Sequence, residues 1–208
     1  MIRMIKAIVF DTGGVLINEI AGEAREMVAK KFGFSGDDFG KVSKKYLNNS
    51  YTGGHYNSFF QKVVEELNLS VSYKELVDEW LNVREKTSSV NEDIKKMIIK
   101  LKKKYLIGML SNSTILNEKV SARKSVLSLF DDDLRIFSFE CGFRKPDKKI
   151  YDILLERLEK RGILPEETVF IDDREENLIP AESLGMKTIL FKDANRLKEE
   201  LKNFEVNV

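Results

Sequence analysis

The chain has 208 residues, 42% hydrophobic and 33% charged, with 35 basic and 34 acidic side chains and a formal net charge of +1. That composition suits a globular protein with a core and excludes a disordered chain, and the balanced charge offers neither a stripe for nucleic acid nor a surface drawn to a membrane. The single cysteine, Cys141, can form no internal disulfide, so a reducing, cytoplasmic setting is expected.

The first ten residues are too interrupted by charge to read as a signal peptide. Within them the apolar run 7–10 predicts a buried strand that ends at Asp11. Residues 18–88 then carry helical periodicities, around 18–32, 37–48, 56–68 and 72–86, and no strand signal. Gly33, Gly36, Gly53-Gly54 and the polar stretch 70–72 punctuate them. Ile94, Met97, Ile98 and Leu101 mark the next helix, and the run 106–110 leads into Ser111-Asn112. A weaker strand candidate, 135–139, ends at Glu140. Ile150, Ile153, Leu154 and Leu158 mark another helix. The run 168–171 ends at Asp172-Asp173, and 187–191 ends at Lys192-Asp193. No apolar run approaches membrane-spanning length.

Short strands alternating with helices predict an α/β fold, a Rossmann-like parallel sheet covered on both faces, with ligand outside the carboxyl ends of the strands. Residues 1–17 and 89–208 are assigned to this core and residues 18–88 to an inserted α-helical cap.

The strand ends are expected to bring Asp11, Ser111, Lys145 and the Asp172-Asp173 pair together. Like-charged carboxylates about 4 Å apart, at an effective dielectric near 20, cost roughly 4 kcal/mol per pair. A hard divalent cation with oxygen ligands removes that penalty, and Mg2+ suits few carboxylates plus a phosphate oxygen. The Ser111 hydroxyl and the Lys145 charge suit the oxygens of a transferring phosphoryl group. A carboxylate can then attack phosphorus, and water can cleave the aspartyl-phosphate.

The motifs resemble those of the haloacid dehalogenase-like hydrolases. Phe10-Asp-Thr-Gly-Gly-Val-Leu16 is similar to the first, Ser111 in Leu110-Ser-Asn112 to the second, and Lys145 in Arg144-Lys-Pro-Asp147 to the third. Val169-Phe-Ile-Asp-Asp173, followed by Asn177, Ala181, Leu184 and Gly185-Met186, is similar to the fourth. The insertion falls where that family places its cap. The stretch from Asp172 to Leu178 resembles the subgroup holding the phosphatase domains of soluble epoxide hydrolases and related sugar-phosphate phosphatases. The resemblance implies a Mg2+-dependent phosphatase of small phosphorylated metabolites. Asp11 is then nucleophile and metal ligand, the Gly13 carbonyl and Asp173 are further ligands, and Asp172 orients a water or ligates directly. Ser111 and Lys145 hold the phosphoryl oxygens with help from Asn112, and Asn177 anchors the loop after its strand.

Gly13 departs from the family's phosphatase pattern, which has a second aspartate there as general acid and base. Such catalysis typically contributes about 10²–10⁴-fold. Good leaving groups, such as anomeric or acyl phosphates, another proton donor, or slow or lost turnover would each answer the departure. His55, the single histidine, lies in the glycine-bearing turn 51–56 and is a candidate for that donor or for a substrate contact; its plain alternative is an exposed turn residue. Asn18 and Glu19 read as hinge or capping residues, and the run 131–133 as a solvated loop. Lys102–104 read as a helix end, Cys141 as packing, and Phe59, Phe60 and Trp80 as cap core. Competing readings are a 2-haloacid dehalogenase, disfavoured by the paired Asp172-Asp173, and a mutase, which wants the missing aspartate. A receiver domain has the wrong motif order, and a catalytically silent member of the family would bind a ligand or protein.

Overall fold

The computed structural model describes residues 4–19 and 22–208. Among these, seven strands occur: β1 (Ala7–Phe10), β2 (Ile17–Glu19), β3 (Ser88–Val90), β4 (Leu106–Ser111), β5 (Arg135–Phe137), β6 (Thr168–Asp172) and β7 (Lys187–Leu190). Five of them make a parallel sheet in the order β5-β4-β1-β6-β7. Phe10 pairs with Met109 on one side and Ile171 on the other, so the residues that follow these strands emerge at one edge.

Side chains alternate across a strand, and β1 shows what that does to the core. Ile8 and Phe10 join a cluster with Ile94, Ile98 and Leu201, whereas Ala7 and Val9 join one with Ile150, Leu154 and Phe170 on the opposite face. All of these are fully buried, each large one worth roughly 1.5–3 kcal/mol relative to exposure. The covering helices are α5 (Glu92–Leu101), α6 (Ile115–Arg123), α7 (Ser138–Cys141), α8 (Lys148–Glu159), α9 (Glu175–Ser183) and α10 (Ala194–Asn203), numbered after the insertion's own four.

Those four, α1 (Glu23–Phe32), α2 (Gly36–Ser50), α3 (Tyr56–Glu66) and α4 (Tyr73–Thr87), follow β1 and enclose a separate core around Val28, Phe39, Phe60 and Leu76. Leu116 and Val120 of α6 extend that core, which seats the insertion on the sheet domain. Helix α4 starts at a capping box in which Ser72 and Glu75 exchange hydrogen bonds.

Three local expectations need correction. The junction carries a strand pair, because β2 and β3 form an antiparallel ribbon with Ile17 opposite Val90 and Glu19 opposite Ser88. Three-residue strands have no readable period, and their pairing depends on partners some seventy positions away. The helix expected over 18–32 starts at Glu23, since residues 18 and 19 are in β2; residues 20 and 21 lie outside the described residues. Strand β5 stops at Phe137, because Ser138 turns into α7 while its hydroxyl accepts from the Ser113 amide and donates to the Ser113 carbonyl. Among the described residues no helix is long and apolar enough to cross a membrane.

Candidate active site

Asp11, at the end of β1, and Asp172, the last residue of β6, both reach the ammonium of Lys145. Its Nζ donates to Asp11 Oδ1 at 2.8 Å and to Asp172 Oδ2 at 2.5 Å. Lys145 is 1% exposed and Asp172 fully buried, so the pair of carboxylates and the single cation meet away from water. The remaining Asp172 oxygen accepts from the Arg174 amide and from Asn177 Nδ2, both at 2.9 Å. Asn177 is itself tied to α8, as its carbonyl accepts from the Tyr151 hydroxyl at 2.6 Å. Beneath Lys145 lies the Phe170 ring, with Nζ 5.3 Å from its centroid.

Contrary to the expectation of a strand end, Lys145 sits on the loop between α7 and α8, and Asn112 positions it. The Asn112 amide accepts from the Lys145 N–H and donates to the Lys145 carbonyl. Both ends of the amide are thereby used on backbone. Ser111, one residue earlier at the end of β4, is buried and faces the cavity described below.

The site carries an excess of negative charge. Asp11, Asp172 and Asp173 each present a ligand atom, all within 4.8 Å of one another. Burial pushes the Asp11 carboxyl up to about 6, with Lys145 opposing and Asp172 adding to the rise. Burial, and then Asp172, also raise Asp173. One lysine therefore leaves the cluster short of positive charge, and its all-oxygen donor set fits a hard divalent cation. Gly14 makes the arrangement possible: it has φ +77°, and a Cβ there would collide with the Asp173 carboxylate. Gly13 is different, because a Cβ there would meet nothing within 4 Å.

Above these groups lies a cavity of about 200 Å³ whose walls include Thr12, Gly13, Ser111, Asn112, Glu19 and Tyr51. Thr12 Oγ1, in its lining, is buried with no hydrogen-bond partner among the described residues. The sequence-predicted residues Asp11, Asp172, Asp173, Lys145, Ser111, Asn112 and Gly13 thus converge on one edge of the sheet. His55 does not join them. It is exposed at the start of α3 and lines shallow hollows beside Gly54 and Ser50. Tyr51, at the other end of the same turn, is the residue that reaches the cavity. Asn117 reaches it too, from α6. Neither had a sequence signal, since each depends on how the insertion and α6 meet. Glu19, read as a hinge residue, also lines the cavity, with its carboxylate held by Arg84.

The expected solvated run 131–133 is partly structural: Asp131 Oδ2 accepts from the Ile107 amide at 2.8 Å and so caps the start of β4, while Asp132 and Asp133 pair with Arg135 and Arg161. Cys141 points its thiol at the carbonyls of Ser138 and Phe143.

The sequence pattern of the family described as haloacid dehalogenase-like hydrolase matches residues 5–185. A D-ribitol-5-phosphate phosphatase of Bacteroides thetaiotaomicron is 29% identical, over 95% of this chain and 97% of that protein. Bifunctional epoxide hydrolase 2 of Sus scrofa is 27% identical over 95% of this chain, which spans only 38% of that protein's length. Among solved structures, an aspartate-to-alanine variant of a haloacid dehalogenase family enzyme of B. thetaiotaomicron, in complex with magnesium and inorganic phosphate, superposes with a TM-score of 0.76. It is 26% identical, with 93% of this chain and 98% of that one covered.

Proposed function

The chain belongs to the haloacid dehalogenase-like hydrolases, and from that premise we propose that it is a Mg2+-dependent phosphatase of small phosphorylated compounds, with Asp11 as its nucleophile. The observation that carries this reading is Lys145 held between Asp11 and Asp172 with Asp173 beside them, a charge pattern suited to a phosphoryl dianion and one hard cation. The magnesium and phosphate bound in the related structure support it.

Asp11, Asp173 and the Gly13 carbonyl would hold the metal, with Asp172 alongside. When bound, Mg2+ supplies positive charge that offsets repulsion between the carboxylates and the phosphate. Lys145 and the Ser111 hydroxyl bind the equatorial oxygens and orient phosphorus toward Asp11. An Asp11 carboxylate oxygen forms the new O–P bond while the bond from phosphorus to the leaving oxygen breaks, and that oxygen departs with the electron pair. Water then attacks phosphorus, cleaves the aspartyl-phosphate and returns Asp11 with release of inorganic phosphate. Asn112 acts on this sequence through Lys145, by fixing its backbone.

No side chain at position 13 can protonate the leaving group. Glu19 lines the cavity, but its carboxylate is engaged by Arg84. This favours substrates whose leaving group departs as a stable anion, such as acyl phosphates. It also supports a second reading, a protein that captures the phosphoryl group and turns over ordinary alkyl phosphates slowly. Phosphate release from acetyl phosphate with Mg2+ tests both. Release that vanishes in Asp11→Asn supports the enzyme; release that continues in Asp11→Asn, or that is unaffected by a chelator, overturns it.

A further inference from the structure

The cavity over Ser111 continues into a second hollow between the insertion and α6. Glu19, Tyr51 and Asn117 line both, forming a neck. Beyond the neck most of the wall is aromatic, with Ser43, Ser50 and Thr114 as its smaller polar members. Phe39 and Trp80 stack with centroids 5.4 Å apart, Phe60 meets Trp80 edge-on at 6.1 Å, and Phe59 and Tyr56 complete that side. These aromatics are interlocked in the insertion's core, so the walls are firm rather than collapsible. The hollow measures about 140 Å³, and an apolar cavity of about 150 Å³ is large enough to admit benzene.

Part of the polar lining at the neck is already paired, though Arg84 Nε is buried with no hydrogen-bond partner among the described residues. Arg84 binds the Glu19 carboxylate and donates to Asn117 Oδ1 at 3.2 Å, and its guanidinium lies over the Trp80 ring. A polyol filling the chamber would set most of its hydroxyls against ring faces, and each unpaired buried hydroxyl is costly. An apolar group avoids that cost and gains contact with the rings.

We infer that this chamber is the leaving-group subsite and that the substrates are phosphate compounds whose departing part carries an apolar group of about the size of one benzene ring. The inference rests on the phosphatase reading for its chemistry. With an acyl phosphate, attack by Asp11 forms the O–P bond and breaks the P–O bond to the acyl oxygen. The carboxylate leaves with the electron pair and takes no proton, which matches the missing donor at Gly13.

Phenylacetyl phosphate, acetyl phosphate and glucose 1-phosphate, each with Mg2+, separate the possibilities. The first two share a carboxylate leaving group, so their ratio of kcat/KM isolates the ring. That ratio is expected to be about tenfold or more, with glucose 1-phosphate below phenylacetyl phosphate. Ser43, half-buried on α2 and facing the hollow, offers a way to fill it: Ser43→Phe should bring the ratio toward one. Ser43→Leu serves if the larger variant does not fold. A second measurement needs no turnover, because Trp80 is the only tryptophan in the chain and lines the chamber. 2-Phenylethylphosphonate with Mg2+ should change its emission saturably, and methylphosphonate should not. A wild-type ratio near one, a preference for glucose 1-phosphate, or unaltered Trp80 emission at high 2-phenylethylphosphonate overturns the subsite. If no compound releases phosphate in a Mg2+-dependent manner, the phosphatase reading fails instead, and the Trp80 titration still decides the chamber.

Discussion

Asn112 clasps the backbone of Lys145 from both sides, accepting its N–H at 2.7 Å and donating to its carbonyl at 2.9 Å. A lysine on a loop thereby acquires the fixed position of one on a strand, and its ammonium lies within hydrogen-bond reach of two carboxylates at once. Asn112→Ala should lower kcat about 10-fold to 100-fold with a smaller change in KM, because charge remains but its placement is lost. Asn112→Asp retains the acceptor and should recover part of the loss. Steady-state kinetics on acetyl phosphate check this; an unchanged kcat in Asn112→Ala would mean that the clasp has no bearing on turnover.

The two glycines after the nucleophile should behave oppositely. Gly14→Ala places a Cβ against the Asp173 carboxylate in a backbone conformation that favours glycine. Mg2+ affinity, read by calorimetry, should fall about tenfold or more. Position 13 has open space. Gly13→Asp should fold normally and raise kcat on alkyl phosphates by up to about 10²-fold, with little gain on acyl phosphates. Equal gains on both would show that proton donation is not what the wild type lacks.

The buried Asp11 sets a pH dependence in the metal-free protein. Its folded pKa of about 6 lies above the ordinary carboxylate value of 3.8, so between these values the folded chain holds more proton than the unfolded one. Stability contributed by this group is therefore full below about pH 4 and is lost as pH rises through about 6. Asp11→Asn should remove the loss and stabilise the chelator-treated protein at pH 7 by about 1–3 kcal/mol, with little effect at pH 4. Thermal or urea unfolding at both pH values decides it. Stabilisation greater at pH 4 than at pH 7 would reverse the sign and refute the assignment.

Much of this was legible in the chain because the site lies at strand ends. Asp11, Ser111 and Asp172 each close an apolar run, and a parallel sheet places such residues along one edge whatever the details of packing. The paired Asp172-Asp173 announced a metal site in the same way. What escaped were relationships made only by folding. The β2–β3 ribbon joins Glu19 to Ser88 across the whole insertion, and its three-residue strands have no period to read. Within the turn 51–56, His55 drew attention as the single histidine. Tyr51 reaches the cavity and His55 does not, since the direction of a turn depends on the helices that flank it. Phe59, Phe60 and Trp80 were expected as core, which they are. That the same rings leave a hollow sharing Glu19, Tyr51 and Asn117 with the cavity over Ser111 depends on how α2, α3 and α4 close on α6.

In the proposed mechanism Asp11 itself takes the phosphoryl group. Rapid quenching of the enzyme during turnover of acetyl phosphate with Mg2+, followed by mass spectrometry of its peptides, tests it most directly. The expected result is a hydroxylamine-sensitive phosphoryl group on the peptide containing Asp11, absent from Asp11→Asn and from chelator-treated enzyme. A phosphoryl group on another residue, or steady turnover with no label at Asp11, would contradict it.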